Sequence, residues 1–229
     1  FVENLFIMNM LYTKSYETPL GKMVAFANQN ALLLLDFEDS KYFEKHMEEI
    51  SQGYGVIKTS NNRVLKLLEK ELSQYFKGKL TKFTVPVEFT GTDFQKKVWE
   101  ELQNISFGEY RSYQSQADAM KRPKSVRAVA NANSRNKLCL VVPCHRVIGK
   151  NLSLTGYAGG VDRKAALLKL EGIDDITEAE KYKNCYIKIN REDAVELEED
   201  SYFIVDIIGS EVFTEEGEDL GKVVDVLQT

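Results

Sequence analysis

The 229-residue sequence predicts an α+β protein: a small N-terminal α/β domain with antiparallel strands, a mainly helical C-terminal domain with a helix-turn-helix, and a β-rich tail. Three observations carry this. Residues 11–37 hold three strand-like runs broken by turn residues. Residues 92–134 hold three segments of helical spacing, the last two separated only by a short turn. Charge also changes along the chain: the balance of Lys and Arg against Asp and Glu is 0 over residues 1–90, +7 over 91–171 and −12 over 172–229.

Each element has a local cause. LYTKSYE, a Thr-Pro-Leu-Gly turn, KMVAFAN, a Gln-Asn turn and ALLLLDF read as a three-stranded meander. Ser40 to Ile50 and Asn61 to Phe76 have helical spacing. The second carries Val64, Leu65, Leu67, Leu68, Leu72 and Phe76 on a wide apolar stripe, with Gly78 just past its end. FTVPVEF, residues 83–89, reads as an extended connector, because Pro86 lacks the N–H of a central strand. Thr92 and Gln95 form a capping-box pattern before a helix bearing Phe94, Val98, Trp99 and Leu102. Ser112 to Met120 and Pro123 to Ser134 come next at helix-turn-helix spacing, with Pro123 suited to a first helical position. In the second of these, Ala128, Ala130 and Ala132 alternate with Asn131 and Asn133, a low-bulk pattern that fits either close approach to DNA or tight helix packing. LCLVV, residues 138–142, is a buried run, TGYAGG a glycine-rich turn, and Asp162 is expected to cap a last helix, Arg163 to Glu171.

The composition, 43% hydrophobic and 28% charged, is that of a folded globular chain, and 26.1 kDa allows two units and an appendage. No run approaches the roughly 18 apolar residues of a membrane span, and FVENLFIMNM has no basic leader or cleavage site. A cytoplasmic protein with no membrane partner is expected. Residues 1–9 are read as an extraneous lead-in, with Met8 or Met10 as the natural start. The three cysteines, Cys139, Cys144 and Cys185, are too few and unpaired for a disulfide framework. With His46 and His145 the only histidines, no metal site and no cofactor are expected.

The chemistry concentrates around VVPCHRVIGK. Lys121 to Lys150 holds eight basic residues and no acid, a footprint suited to phosphate. Within it Cys144 precedes His145 and Arg146. A free thiol ionises near pH 8.5, so a nucleophilic Cys144 needs a base or a positive environment. Adjacent side chains seldom face each other, so His145 is expected to act through a water, with Glu171 as the acid that fixes its tautomer. A buried structural cysteine is the competing reading.

Taken together, GTDFQKKVWEEL, FGEYRSYQSQA, SVRAVANANSRN, VVPCHRVIG and GYAGGVDRKAALLKLEG resemble the O6-alkylguanine-DNA alkyltransferase family, over about residues 10–172. The resemblance implies an N-terminal domain over 10–89 and a DNA-binding and catalytic domain over 90–172. It implies repair by stoichiometric transfer of an alkyl group from O6-alkylguanine to Cys144, with the base flipped out from the minor groove. It further implies that His145 and Glu171 activate the thiol, that Tyr113 assists flipping and protonates the leaving guanine, and that Asn136 braces the active-site turn. Arg127 would fill the gap in the base stack. Ser125, Ala128 and Arg135 join Arg127 and Tyr113 as DNA-binding residues, and Pro143, Val147, Tyr157 and Ala158 line the base pocket. The implied partner is double-stranded DNA containing alkylated guanine, bound by a monomer. Lys137 stands where the family commonly has proline, which is expected to add phosphate attraction.

From about residue 168 the chain instead resembles a ribosome maturation factor, at the end of its first domain and the start of its PRC-barrel. Residues 173–229 are therefore read as an incomplete, acidic barrel fragment, with a short helix at Thr177 to Tyr182, a loosely held hairpin and no assignable partner. A non-catalytic alkylated-DNA-binding module and a ribosome-assembly role through the tail are the alternatives.

Overall fold

The structure, a computed structural model, describes residues 10–54, 56–59, 61–149, 153–173 and 207–224. The lead-in and the helix expected at 177–182 lie outside them. The chain divides into two units, Phe1–Lys183 and Asn184–Thr229.

In the first unit, β1 (Met10–Thr18), β2 (Gly21–Ala27) and β3 (Leu32–Phe37) form the expected antiparallel meander. A fourth strand with no counterpart in the sequence pattern, β4 (Val56–Thr59), pairs parallel to β1, giving the order β3-β2-β1-β4. Strand alternation sorts the core. Met23, Ala25 and Ala27 face α2 (Arg63–Phe76), whose Val64, Leu65, Leu68, Leu72 and Tyr75 form the apolar stripe. Val24 and Phe26 face Phe43 and Ile50 of α1 (Phe43–Ser51). The side-chain oxygen of Asn62 caps α2 by accepting from Leu65 N at 2.9 Å.

The edge of β3 positions the segment that leads to Cys144. It pairs first with the Pro86 connector, through Leu32 N to Pro86 O at 2.8 Å and Glu88 N to Leu32 O at 2.9 Å. It then takes the segment leading to Cys144, through Leu35 N to Lys137 O and Cys139 N to Leu35 O, both 2.8 Å. The sheet edge thus fixes the backbone five residues before Cys144.

The helical part comprises α3 (Asp93–Leu102), α4 (Tyr113–Ala119), α5 (Val126–Ser134) and α6 (Val161–Leu170). The Thr92–Gln95 capping box is present. Two expectations are corrected. Pro123 begins a separate 3₁₀ turn, Pro123–Ser125, and α5 starts only at Val126. The last helix is preceded by Gly160 in place of Asp162, because the chain enters it at φ +96°, a conformation open to glycine, and Asp162 falls in the first turn.

Polar anchors fix the angle of α5. Trp99 Nε1 donates to Ala132 O at 2.8 Å, and Gln116 and Asn133 exchange side-chain amide bonds at 2.7 and 3.3 Å. The alanine pattern therefore divides: Ala128 is exposed, whereas Ala132 is buried under Trp99. Two-residue strands β5 (Arg111–Ser112) and β6 (Val147–Ile148) pair in parallel beside the site.

In the second unit, β7 (Glu211–Phe213) and β8 (Asp219–Lys222) form an antiparallel hairpin whose Phe213 and Leu220 are exposed.

Candidate active site

The turn that presents Cys144 is braced from within. Asn136 Nδ2 donates to Val142 O at 2.8 Å and to Cys144 Sγ at 3.2 Å, while its Oδ1 accepts from Leu138 N at 3.0 Å. The turn is tight enough to hold Leu140 at φ +70°, in the left-handed region that costs a non-glycine residue about 1–2 kcal/mol. Cys144, 7% exposed, opens the 3₁₀ turn Cys144–Arg146.

His145 is fully buried, and its Nε2 lies 3.0 Å from Glu171 Oε1. A carboxylate only accepts, so Nε2 carries the proton and Nδ1 keeps its lone pair. Nδ1 is buried and has no hydrogen-bond partner among the described residues. Burial holds the imidazole below its ordinary pKa, so the ring is neutral at pH 7. Among the described residues no direct bond joins His145 to Cys144, in keeping with the expectation for neighbours in sequence.

Glu171 gathers more than the histidine. Oε1 also accepts from Tyr75 OH and Arg146 Nη2, each at 2.8 Å, and Oε2 accepts from Arg146 Nε at 2.7 Å. Burial alone would raise this carboxyl, but the hydrogen bonds from His145 and Arg146 outweigh it and bring it down to about 2. Arg146 also donates to Ile105 O at 2.7 Å. Its charge is spent on Glu171, and the positive environment of the thiol comes from elsewhere.

That source is Lys164, a residue the sequence did not single out. Its buried Nζ donates to Val147 O at 2.6 Å and Thr155 O at 2.9 Å. Burial lowers it to about 8. The Cys144 thiol is held below its ordinary range, first by hydrogen bonding with the Cys139 thiol, then by Asn136 and by positive Lys164, against the opposing effect of burial. Cys139 is pushed well up by the same hydrogen bond with Cys144 and by burial, and Asp36 Oδ1, 3.3 Å from its sulfur, adds to the rise. Asp36 and Cys139 were not foreseen either: their proximity depends on the pairing of β3 with residues 137–139, which no local pattern announces. For Lys164 a signal existed, a lysine beside the apolar run Ala165 to Leu168.

Tyr113 OH donates to Thr155 O at 3.0 Å, sharing that carbonyl with Lys164. Burial, then the nearby Cys144, raises its phenol to about 12, so it keeps its proton. Gly156, at φ +78°, passes so close that an added Cβ would lie 2.8 Å from Tyr113 OH. Pro143 and Val147 are buried, and Tyr157 and Ala158 are half-buried. The structure therefore brings Cys144, His145, Glu171, Asn136 and Tyr113 together.

Arg127 and Ala128 are exposed on α5, Ser125 is half-buried before its first turn, and Arg135 lies just after its last. The expectation for Lys137 is corrected. Its ammonium is buried and engaged by Glu49 at 2.8 Å and by Thr90 O and Oγ1 at 3.0 and 3.1 Å, which leaves it no part in holding phosphate.

Comparison with known proteins agrees with this arrangement. Residues 11–89 match the ribonuclease-like domain of 6-O-methylguanine DNA methyltransferase and residues 93–173 its DNA-binding domain, while 199–229 match a PRC-barrel domain. The chain is 41% identical over 165 residues to the constitutive methylated-DNA–protein-cysteine methyltransferase of Bacillus subtilis, covering 72% of this chain and 97% of that protein. It is 39% identical to the Methanosarcina barkeri methylated-DNA–protein-cysteine methyltransferase, covering 70% and 97%. The crystal structure of Mycobacterium tuberculosis OGT in complex with DNA superposes with a TM-score of 0.62 at 36% identity, covering 70% of this chain and 92% of that one. From sheet edge to braced turn, and over nearly the whole length of these relatives, the chain belongs to the 6-O-methylguanine DNA methyltransferase family.

Proposed function

We propose that this protein repairs double-stranded DNA by moving the alkyl group of O6-alkylguanine onto Cys144, acting as a monomeric, single-turnover methylated-DNA–protein-cysteine S-methyltransferase. The observation that carries the reading is the thiol itself: Cys144 accepts from Asn136, lies in the field of Lys164, and is next to a neutral histidine whose other nitrogen is fixed by Glu171.

Transfer begins when His145 Nδ1 takes the Cys144 proton through a water. The thiolate attacks the alkyl carbon, an S–C bond forms, and the bond from that carbon to guanine O6 breaks. Tyr113, its phenol raised to about 12, supplies its proton to the departing guanine, which leaves neutral, and is reprotonated through water by the proton that His145 had taken from Cys144. A base inside a duplex cannot offer that carbon for in-line attack, so the nucleotide is extruded at a cost of a few kcal/mol. Arg127, exposed on α5, fills the gap, Ser125, Ala128 and Arg135 make further DNA contacts, and Pro143, Val147, Tyr157 and Ala158 shape the pocket. No cofactor or metal enters the scheme.

The N-terminal part, 10–89, carries the sheet that positions the turn, and 90–172 carries the chemistry and DNA contacts. No described helix is long and apolar enough to cross a membrane. The sparse, free cysteines suit a reducing cytoplasm.

The test is transfer of a radiolabelled methyl group from duplex DNA to protein. Wild type is expected to take up at most one methyl per molecule. Cys144→Ala is expected to take up none while still binding DNA; unchanged transfer would place the acceptor elsewhere.

A further inference from the structure

Arg127, Asn131 and Arg135 stand four residues apart, so they form one stripe along α5 and its C-terminal end, about 12 Å long at 1.5 Å per residue. The stripe begins at the proposed intercalating arginine and ends against the N-terminal part of the molecule. There the Arg135 guanidinium lies 4.0 Å from the centre of the Tyr42 ring. Lys41 Nζ lies 5.3 Å from the same ring. Among the described residues the Arg135 side chain makes no hydrogen bond or ion pair, so its guanidinium N–H groups are free while the ring holds the group in place.

Arg135 and Asn131 also line a cavity of about 300 Å³ with Lys45, His46, Glu49, Gln95 and Lys137 among others. The acid in that wall, Glu49, is paired with Lys137. Lys45 and Arg135 are therefore its uncompensated charges. Glu44 and Glu48, the other acids of α1, do not line it.

We infer that Lys45 and the Arg135–Tyr42 stack form a second phosphate clamp, through which the N-terminal part grips the DNA backbone at the C-terminal end of α5. This rests on the minor-groove reading of α5 above. A helix whose first turn sits in a groove about 6 Å wide must meet a bordering strand within its own length. Arg135, some 12 Å from Arg127 along the helix, is placed to do so. Tyr42 contributes no charge. It keeps the guanidinium flat, so little side-chain entropy is lost when a phosphate binds.

The test is the salt dependence of binding to an unmodified duplex, measured by fluorescence anisotropy on the full chain. Each lost phosphate contact is expected to reduce the slope of log K against log salt by about 1. Lys45→Gln and Arg135→Gln should each do this, and the double variant should lose about twice as much. Tyr42→Phe should keep the wild-type slope and Tyr42→Ala should lower affinity, with thermal midpoints measured for both. Lys70→Gln, on the exposed face of α2, sets the baseline. Slopes for Lys45→Gln and Arg135→Gln equal to that of Lys70→Gln would overturn the clamp. Methyl transfer, scored separately, tells failure of the clamp from failure of the repair reading, since the latter removes transfer and leaves the salt slopes measurable.

Discussion

At the scale of single residues, the site works by holding charge where it is used and removing it where it is not. Glu171 is the hub: three residues bring four donor groups to its two oxygens, so Arg146 is neutralised and His145 is fixed in one tautomer. Acid should undo this in two stages. His145 is depressed by burial, so the unfolded chain binds its proton first and stability falls as pH drops below the ordinary histidine value of about 6.5. Glu171 is depressed to about 2, so its contribution is intact above about 4.3 and is lost between there and pH 2. The thermal midpoint should therefore fall steadily from pH 7 to pH 4. Glu171→Gln should cost about 3–5 kcal/mol in denaturant titrations at pH 7, because Arg146 is left buried beside a neutral group. Gly156→Ala tests the opposite wall. Its φ of +78° and the close approach to Tyr113 make the methyl both strained and obstructive. The variant should lose about 1–2 kcal/mol of stability and transfer methyl more slowly, and an unchanged rate would show that Tyr113 tolerates displacement.

At the scale of elements, α5 is oriented by polar groups inside an apolar core. Gln116 and Asn133 satisfy each other there, and Gln116 also donates to Val98 O at 3.2 Å. Gln116→Leu leaves the Asn133 amide buried without its partner, which should cost about 1–3 kcal/mol in urea titrations. A loss below the resolution of the titration would mean that water or a neighbouring carbonyl takes over. Most elements were legible because each has a local cause: the Thr92 box, the α2 stripe and the turn residues between β1, β2 and β3. β4 was not, since four residues lack a pattern and their strand identity comes from β1 alongside. The Asp162 cap failed for a related reason. The side chain was suitable, but the backbone conformation at Gly160 decided where the helix starts.

At the scale of the whole molecule, charge is the property most open to manipulation. Residues 1–173 carry +7 and the remainder −12, giving −5 for the intact chain. A chain ended after Ile173, where the family match ends, should keep methyl transfer. It should also bind nonspecific DNA more tightly at low salt, with the difference shrinking as salt rises. Equal affinities of the two chains at low salt would show that the acidic segment exerts no field on the DNA-facing side.

The sequence by itself marked Cys144 and His145 as the candidate thiol and base, and gave the helix pair and the change of sign in the tail, because each rests on residue type or short-range spacing; Glu171, 26 positions beyond His145, was a candidate acid that the fold brings to 3.0 Å. Only the tertiary structure decided how the thiol is tuned. Lys164, Cys139, Asp36 and Tyr75 come from segments far apart in the chain and meet through the β3 edge and the packing of α2 and α6. It also withdrew Lys137 from the DNA-facing charge by burying it against Glu49 and Thr90. The physical reason is the same in both cases: a charge acts according to what lies within a few ångströms of it and how much water is excluded, and neither is encoded at any single position.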